Sequence, residues 1–241
     1  MDWAFVVVGV VALVAAVVQS TTGFGFAIIC MAVLPLITPF RTATVIEALM
    51  SAVLSAVLVI RLRHHVRLKL LAWPFVTTAV LLPLGLFTLM SNTDSLLRRL
   101  LGGLLLVLAA YFAFFGQKIR IRPTPLSGLT TGAVSGFMAG FFGIGGPPLA
   151  IFFSSVTEDK RIYSATLNAF FLIMSAYHIV LHGFWGNITP LALRQSAVGV
   201  AGLALGSVIG FAIFRKLTMT AIRRLVYVFM ALCGLYLIIV G

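Results

Sequence analysis

At 241 residues, 61% hydrophobic and 9% charged, with a mean hydropathy of +1.17, the chain has too few ionisable groups for a soluble domain, where roughly 25% of residues are charged. Its formal net charge of +12 does not indicate nucleic acid, because the basic residues sit in short loops between apolar runs, as membrane topology requires. Cys30 and Cys233 both fall inside apolar runs and read as small core residues; neither a disulfide, a metal site nor any cofactor is implied.

In chain order the first apolar run covers 3–20. No Lys or Arg precedes it, so it lacks the basic region of a cleavable signal and reads as a retained span. Further runs follow at 24–38, 44–60, 70–90 and 100–116, then a linker with Pro123 and Pro125, then runs at 128–142, 146–156, 162–182, 196–214 and 225–240. They are continuous rather than alternating, which predicts helices and not a barrel. The second and seventh are short, and each follows a cluster of glycines.

Those clusters recur. Gly23-Phe24-Gly25-Phe26 is matched 120 positions later by Gly143-Ile144-Gly145-Gly146, and the same shift carries Ala12, Ala16 and Ser20 onto Gly132, Gly136 and Gly140, and Arg41 onto Arg161. Near the end of each half a shift of 125 matches Ser95–Leu100 with Thr220–Leu225 and Tyr111 with Tyr236. An insertion in a late loop accounts for the slip. The predicted organisation is a first membrane repeat over 1–116, a cytoplasmic linker over 117–127 and a second membrane repeat over 128–241.

Charge counting sets the topology. If every segment alternates sides, one face carries Arg61, Arg63, Arg67, Lys69, Lys118, Arg120, Arg122, Lys160, Arg161, Arg215, Lys216, Arg223 and Arg224, and the other only Arg41, Arg98, Arg99 and Arg194. That 13-to-4 split is a positive-inside signal. Fusing the first two segments of each half removes the bias, and the fused helix of about 36 residues would be roughly 54 Å long, far beyond a ~30 Å apolar core. The first pair in each half therefore goes in and returns, both termini are predicted periplasmic, and the halves are inverted about a pseudo-two-fold axis in the membrane plane. The expected fold is an all-α polytopic membrane protein of two inverted repeats, about five helical segments each, whose glycine-broken or re-entrant hairpins meet near the bilayer midplane.

Two matching breaks at membrane depth point to a transporter binding site. Each short segment would begin at its break, near Phe26 and Pro147, and a helix start presents free N–H groups and a partial positive charge. Two starts converging make an anion site without a lysine or arginine. Gly23, Gly25, Gly143, Gly145 and Gly146 permit the turn and the close approach. Pro147 and Pro148 suit a first helical turn, and Ser20, Thr21 and Thr22 add hydroxyls. By contrast, the stripes Gly128/Gly132/Gly136/Gly140 and Gly202/Gly206/Gly210, spaced by four, read as close helix packing.

Ionisable and polar residues inside apolar runs are costly and give further leads. Glu47 reads either as a surface ion pair with Arg41 or as a proton carrier. Asn168 reads either as an oxyanion ligand or as interhelical glue. His178 and His182, four apart, are expected at the membrane interface and are a weak metal signal without a third ligand. Tyr163 is expected as an interfacial anchor. Asn187-Ile188-Thr189 matches a glycosylation sequon but is followed by Pro190.

The glycine motifs, with Phe142 and Pro147 flanking the second, together with the duplicated half and the chain length, resemble the sulfite exporter TauE/SafE family, also called the toluene sulfonate uptake permeases, over essentially the whole chain. The resemblance implies a bacterial inner-membrane transporter of a small sulfur-containing anion such as sulfite or an organosulfonate, with the lipid bilayer and no nucleic acid as partners. Substrate donors are expected from Thr21, Thr22, Gly23, Gly25, Phe26, Gly143, Gly145, Gly146, Pro147 and Asn168, with Glu47 for coupling. A co-transported proton, another ion or the membrane potential alone would each serve as driving force. An anion channel is the alternative class. An intramembrane enzyme is disfavoured, because the runs contain no Ser-His-Asp set and no paired carboxylates.

Overall fold

The computed structural model describes residues 3–114, 121–213 and 219–241. Of the loop cations counted above, Lys118, Arg120, Arg215 and Lys216 lie outside the described residues, as do linker positions 117–120 and the side chains of Arg223 and Arg224. The described residues form ten α-helices and no strand: α1 (Trp3–Thr22), α2 (Phe26–Ile37), α3 (Phe40–Leu62), α4 (Ala72–Met90), α5 (Asp94–Phe114), α6 (Pro125–Phe142), α7 (Gly146–Val156), α8 (Lys160–Phe184), α9 (Pro190–Ile213) and α10 (Met219–Val240). Five helices fall in each half, in the order the repeat predicts. Among the described residues α1, α3, α4, α5, α8 and α9 are long and apolar enough to cross a bilayer. With 12 and 11 residues, α2 and α7 reach only about 18 and 17 Å, short of a ~30 Å core.

Several helices begin before the apolar run that marks them. α5 starts at Asp94 rather than near 100, and α9 at Pro190 rather than near 196. Hydropathy detects only the apolar part of a helix, and these first turns carry Arg98, Arg99, Arg194 and Gln195. α8 shows how such a polar start is built. Asp159 precedes it, and its carboxylate accepts from the N–H groups of Arg161 (2.7 Å) and Ile162 (3.3 Å), satisfying two donors the helix leaves open. These bonds hold the Asp159 carboxyl below its ordinary pKa. A depressed carboxyl contributes stability above its unfolded pKa and loses it as pH falls through the folded value. Asp159→Ala should therefore lower the melting temperature at neutral pH, and the difference from wild type should vanish in acid. Asp159→Asn, also a good cap, should stay close to wild type.

The broadest helix pairings join one half to the other: α4 with α6, α1 with α9, α3 with α8, and α5 with α10. Exchanging the halves turns α4–α6 into α9–α1 and leaves the other two unchanged. Lipid offers little hydrophobic drive for helix association, so small residues and interhelical hydrogen bonds must hold these crossings. In the α4–α6 crossing, a Cβ on Gly132 would strike the Pro74 carbonyl, one on Gly136 would lie 2.7 Å from Thr78 Cα, and one on Gly140 would strike the Leu82 carbonyl. Thr77 and Thr78 donate across the contact to the carbonyls of Leu129 (2.7 Å) and Gly132 (2.8 Å). In α1–α9 the stripe comes from the other partner, with Gly202 against the Gly9 carbonyl and Gly206 against that of Leu13. The two glycine stripes thus serve equivalent crossings with their roles exchanged.

The helices of the α5–α10 pair run antiparallel. Ser95 Oγ donates to the Gly241 carbonyl at 2.6 Å, and Phe112 stacks on Tyr227 with ring centroids 5.7 Å apart. α3 and α8 also run antiparallel: the N–H of Arg67, just past α3, donates to Thr166 Oγ1 near the start of α8 at 3.2 Å.

Candidate functional site

Both breaks are formed by glycine geometry. α1 ends at Thr22, and Gly23, with φ +86°, donates its N–H to the Gln19 carbonyl at 2.8 Å. Gly25, with φ +110°, then precedes α2. In the second half Gly143, with φ +71°, donates to the Ala139 carbonyl at 2.9 Å and ends α6. These three positions occupy the left-handed region that side chains avoid. Gly145 has an ordinary φ of −106°, and crowding explains it instead: a Cβ there would lie 2.8 Å from Ala139 Cβ and 2.9 Å from the Ser135 carbonyl. The breaks are neighbours in space, since a Cβ on Gly146 would stand 4.0 Å from Phe24 Cβ.

Between them lies a cavity of about 60 Å³. The first half lines it with Gln19, Gly25, Glu47, Ser51 and Thr78, the second with Ser135, Gly143, Gly145, Gly146, Ser175 and His178. Phe170, Phe171, Leu149 and Met174 make its walls apolar, and among the described residues no lysine or arginine lines it. Of the residues singled out from sequence, Gly25, Gly143, Gly145, Gly146 and Glu47 reach this cavity, whereas Thr21, Thr22, Gly23, Phe26, Pro147 and Asn168 do not line it.

Buried amide side chains brace the first break. At the first break Gln19, 2% exposed, accepts from the Phe26 N–H at 3.1 Å and donates to Asn168 Oδ1 at 3.0 Å. Asn168 in turn donates to the carbonyls of Gly23 (3.3 Å) and Ser164 (2.8 Å). Its amide groups are thus engaged in joining α8 to the first break. Thr21 Oγ1 donates to the Val17 and Val18 carbonyls, and Thr22 Oγ1 to those of Val18 and Phe24. Phe24 packs on Phe112 at 5.6 Å, fastening this break to α5. At the second break Ser135 Oγ donates to the Gly145 carbonyl, and among the described residues no acceptor takes the N–H groups of Gly145 and Gly146, nor, at the first break, those of Gly25, Ala27 and Ile28. Both helix starts therefore present open donors, with their partial positive charge, to the cavity they line.

Two expectations about buried polar residues, at Glu47 and at the His178/His182 pair, are corrected. Glu47 is 4% exposed and bonded to Ser51, while Arg41 donates to the Met90 carbonyl at 2.8 Å; the Glu47–Arg41 surface pair does not form, because seven residues along α3 take the carboxyl into the protein. His178 and His182 are buried rather than interfacial, with ring centroids 4.5 Å apart, because α8 turns that face onto α3 and the cavity. Tyr163 is half-buried against Gly23, whose Cβ would meet its ring at 2.9 Å. Among the described residues no group of three His, Cys, Asp or Glu is placed to hold a metal. Gln19, Ser51, Ser135 and Ser175 were not anticipated. Gln19 carried a readable signal, an amide inside an apolar run four residues before the break.

Among the described residues, ten helices, apolar spans and a cavity without a lysine or arginine between two broken helix pairs define a multi-pass membrane protein with an internal polar site. The family model described as sulfite exporter TauE/SafE matches residues 8–237, and the chain belongs to that family, whose members are transporters and not enzymes. It is 25% identical over 207 residues, 80% of this chain and 77% of the relative, to the probable sulfite/organosulfonate exporter TauE of Cupriavidus necator. No solved structure matches.

Proposed function

We propose that the protein is an inner-membrane secondary transporter that moves a small sulfur-containing oxyanion, sulfite or an organosulfonate, outward by alternating access. The observation that carries this reading is the meeting of both glycine breaks at one cavity where unpaired amides, rather than cations, face the space. Such donors replace an anion's water without binding it so tightly that it cannot leave. The relative in Cupriavidus necator supports the substrate class by its name. The antiparallel run of α5 and α10, which occupy equivalent positions in the two halves, supports inverted repeats with both termini periplasmic, and rocking of one repeat against the other would then expose the site to each face in turn. At 100 mV the membrane potential favours outward movement of an anion by about 2.3 kcal/mol per charge.

Glu47 is the proposed coupling group, because it is a carboxyl on the cavity wall with Ser51 beside it, His178 on the same cavity and Cys30 nearby. Flux of sulfite, sulfonates, sulfate and thiosulfate in proteoliposomes, with and without a proton gradient, tests the whole reading. Saturable transport of sulfite or a sulfonate is expected, and its absence for every sulfur anion would refute it. Glu47→Gln should retain flux but lose its response to the proton gradient; an unchanged response would assign the driving force elsewhere.

A further inference from the structure

His178 has no part in the site at the α7 start. It lies in α8 seven residues beyond Phe171, the ring that would touch a Cβ on Gly146 at 3.3 Å, and so about 10 Å further along the helix. It lines the same cavity, is 4% exposed, and its Nε2 is buried without a hydrogen-bond partner. A buried polar nitrogen left unpaired costs about 1–3 kcal/mol, so such groups in a folded protein call for an explanation, an absent ligand among them. Beside it His182 tilts its ring against that of His178 with centroids 4.5 Å apart, holds its Nδ1 3.1 Å from Asn187 Nδ2, and does not line the cavity. Across the same space Glu47 and Ser51 face in from α3, and Ser175 lies one turn before His178 on α8. The cavity therefore has donors in two places: amides at the starts of α2 and α7, and an imidazole further along α8.

We propose that His178 Nε2 forms a second anion-binding position in this cavity, taking a small oxyanion that passes between it and the α7 start. The proposal rests on the transport reading above for the identity of the anion. Two modest positions in series suit passage better than one tight site, since each lets the ligand go to the next. An imidazole N–H gives the anion a hydrogen bond without a permanent charge that would hold it.

The test compares variants in two assays: sulfite flux in proteoliposomes, and sulfite-dependent thermal stabilisation of the purified protein in detergent. A hydrogen bond to a charged group is worth about 1.5–3 kcal/mol, so His178→Leu should raise KM roughly tenfold or more and blunt the stabilisation. His178→Gln, which keeps an N–H donor, should restore most of both, and His182→Gln should leave KM near wild type. An unchanged KM and stabilisation in His178→Leu would overturn the proposal. So would an equal KM increase in His182→Gln, the mark of a packing effect. Stabilisation of the wild type without flux, lost in His178→Leu and restored in His178→Gln, would reject the transport reading and keep the binding position; neither stabilisation nor flux in the wild type would reject both.

Discussion

Gly146→Leu is expected to abolish sulfur-oxyanion flux while leaving a folded, monodisperse protein. The position is helical, and a Cβ there would meet only Phe171 Cζ at 3.3 Å and Phe24 Cβ at 4.0 Å. The end of an aromatic ring can give way by a few tenths of an ångström, so the leucine projects into the cavity instead of forcing the backbone apart. It would cover the open amides at the α7 start. Losing two hydrogen bonds to a charged ligand, at about 1.5–3 kcal/mol each, lowers affinity by roughly 100-fold or more. Flux in proteoliposomes and a size-exclusion profile together check the result, and preserved flux would remove the second break from the site. Gly145→Leu is less informative, because its Cβ would be wedged against Ala139 and the Ser135 carbonyl and the fold would suffer first.

The second large effect is on assembly. Gly140→Leu should prevent a stable protein from accumulating. Its Cβ would overlap the Leu82 carbonyl and come within 2.7 Å of the Leu86 nitrogen. Backbone atoms on a packed helix cannot move aside as a side chain can, so the cost should exceed the usual ~1–3 kcal/mol of overpacking. Parting α4 from α6 would also break the Thr77 and Thr78 hydrogen bonds across the crossing. Gly206→Leu, against the Leu13 carbonyl, should behave alike in the equivalent crossing. Gly103→Leu is the control, since nothing lies within 4 Å of its Cβ. Yield and thermal stability in detergent separate the three, and wild-type stability in Gly140→Leu would mean that these crossings are looser than they look.

Much of the candidate site was readable because its determinants are local. Dense glycines in an apolar run let the backbone turn, although the Gly102-Gly103 pair continues α5 unbroken, and where a break forms the next helix starts with N–H groups that its own helix cannot satisfy. Gly25, Gly143, Gly145 and Gly146 therefore reach the cavity as their pattern suggested. Thr21 and Thr22 illustrate the limit of that argument. A hydroxyl near a break can face a ligand or bond back to its own helix, and both choose the helix carbonyls. Asn168 had two readings from sequence, and in the structure its amide joins Gln19 and Gly23 across the halves.

Glu47 and His178 show why the remainder was hidden. Sequence places each about one turn inside the end of an apolar run, and that distance fits a surface ion pair or an interfacial histidine as well as a cavity wall. Which face a helix turns inward depends on its partner, and α3 and α8 meet only through long-range packing. The Gln19–Asn168 bond that braces the first break was hidden for the same reason: the two residues are 149 apart.

From the chain alone came the class of protein, the ten helices and the places where the glycine clusters break them, because hydropathy, glycine geometry and backbone hydrogen bonding act within a few residues. Tertiary structure alone decided which polar side chains brace the first break, which acid and imidazole face the cavity, and which crossings the two glycine stripes serve. Those outcomes depend on helix faces brought together across the two halves, where contact and not adjacency determines what a side chain can do.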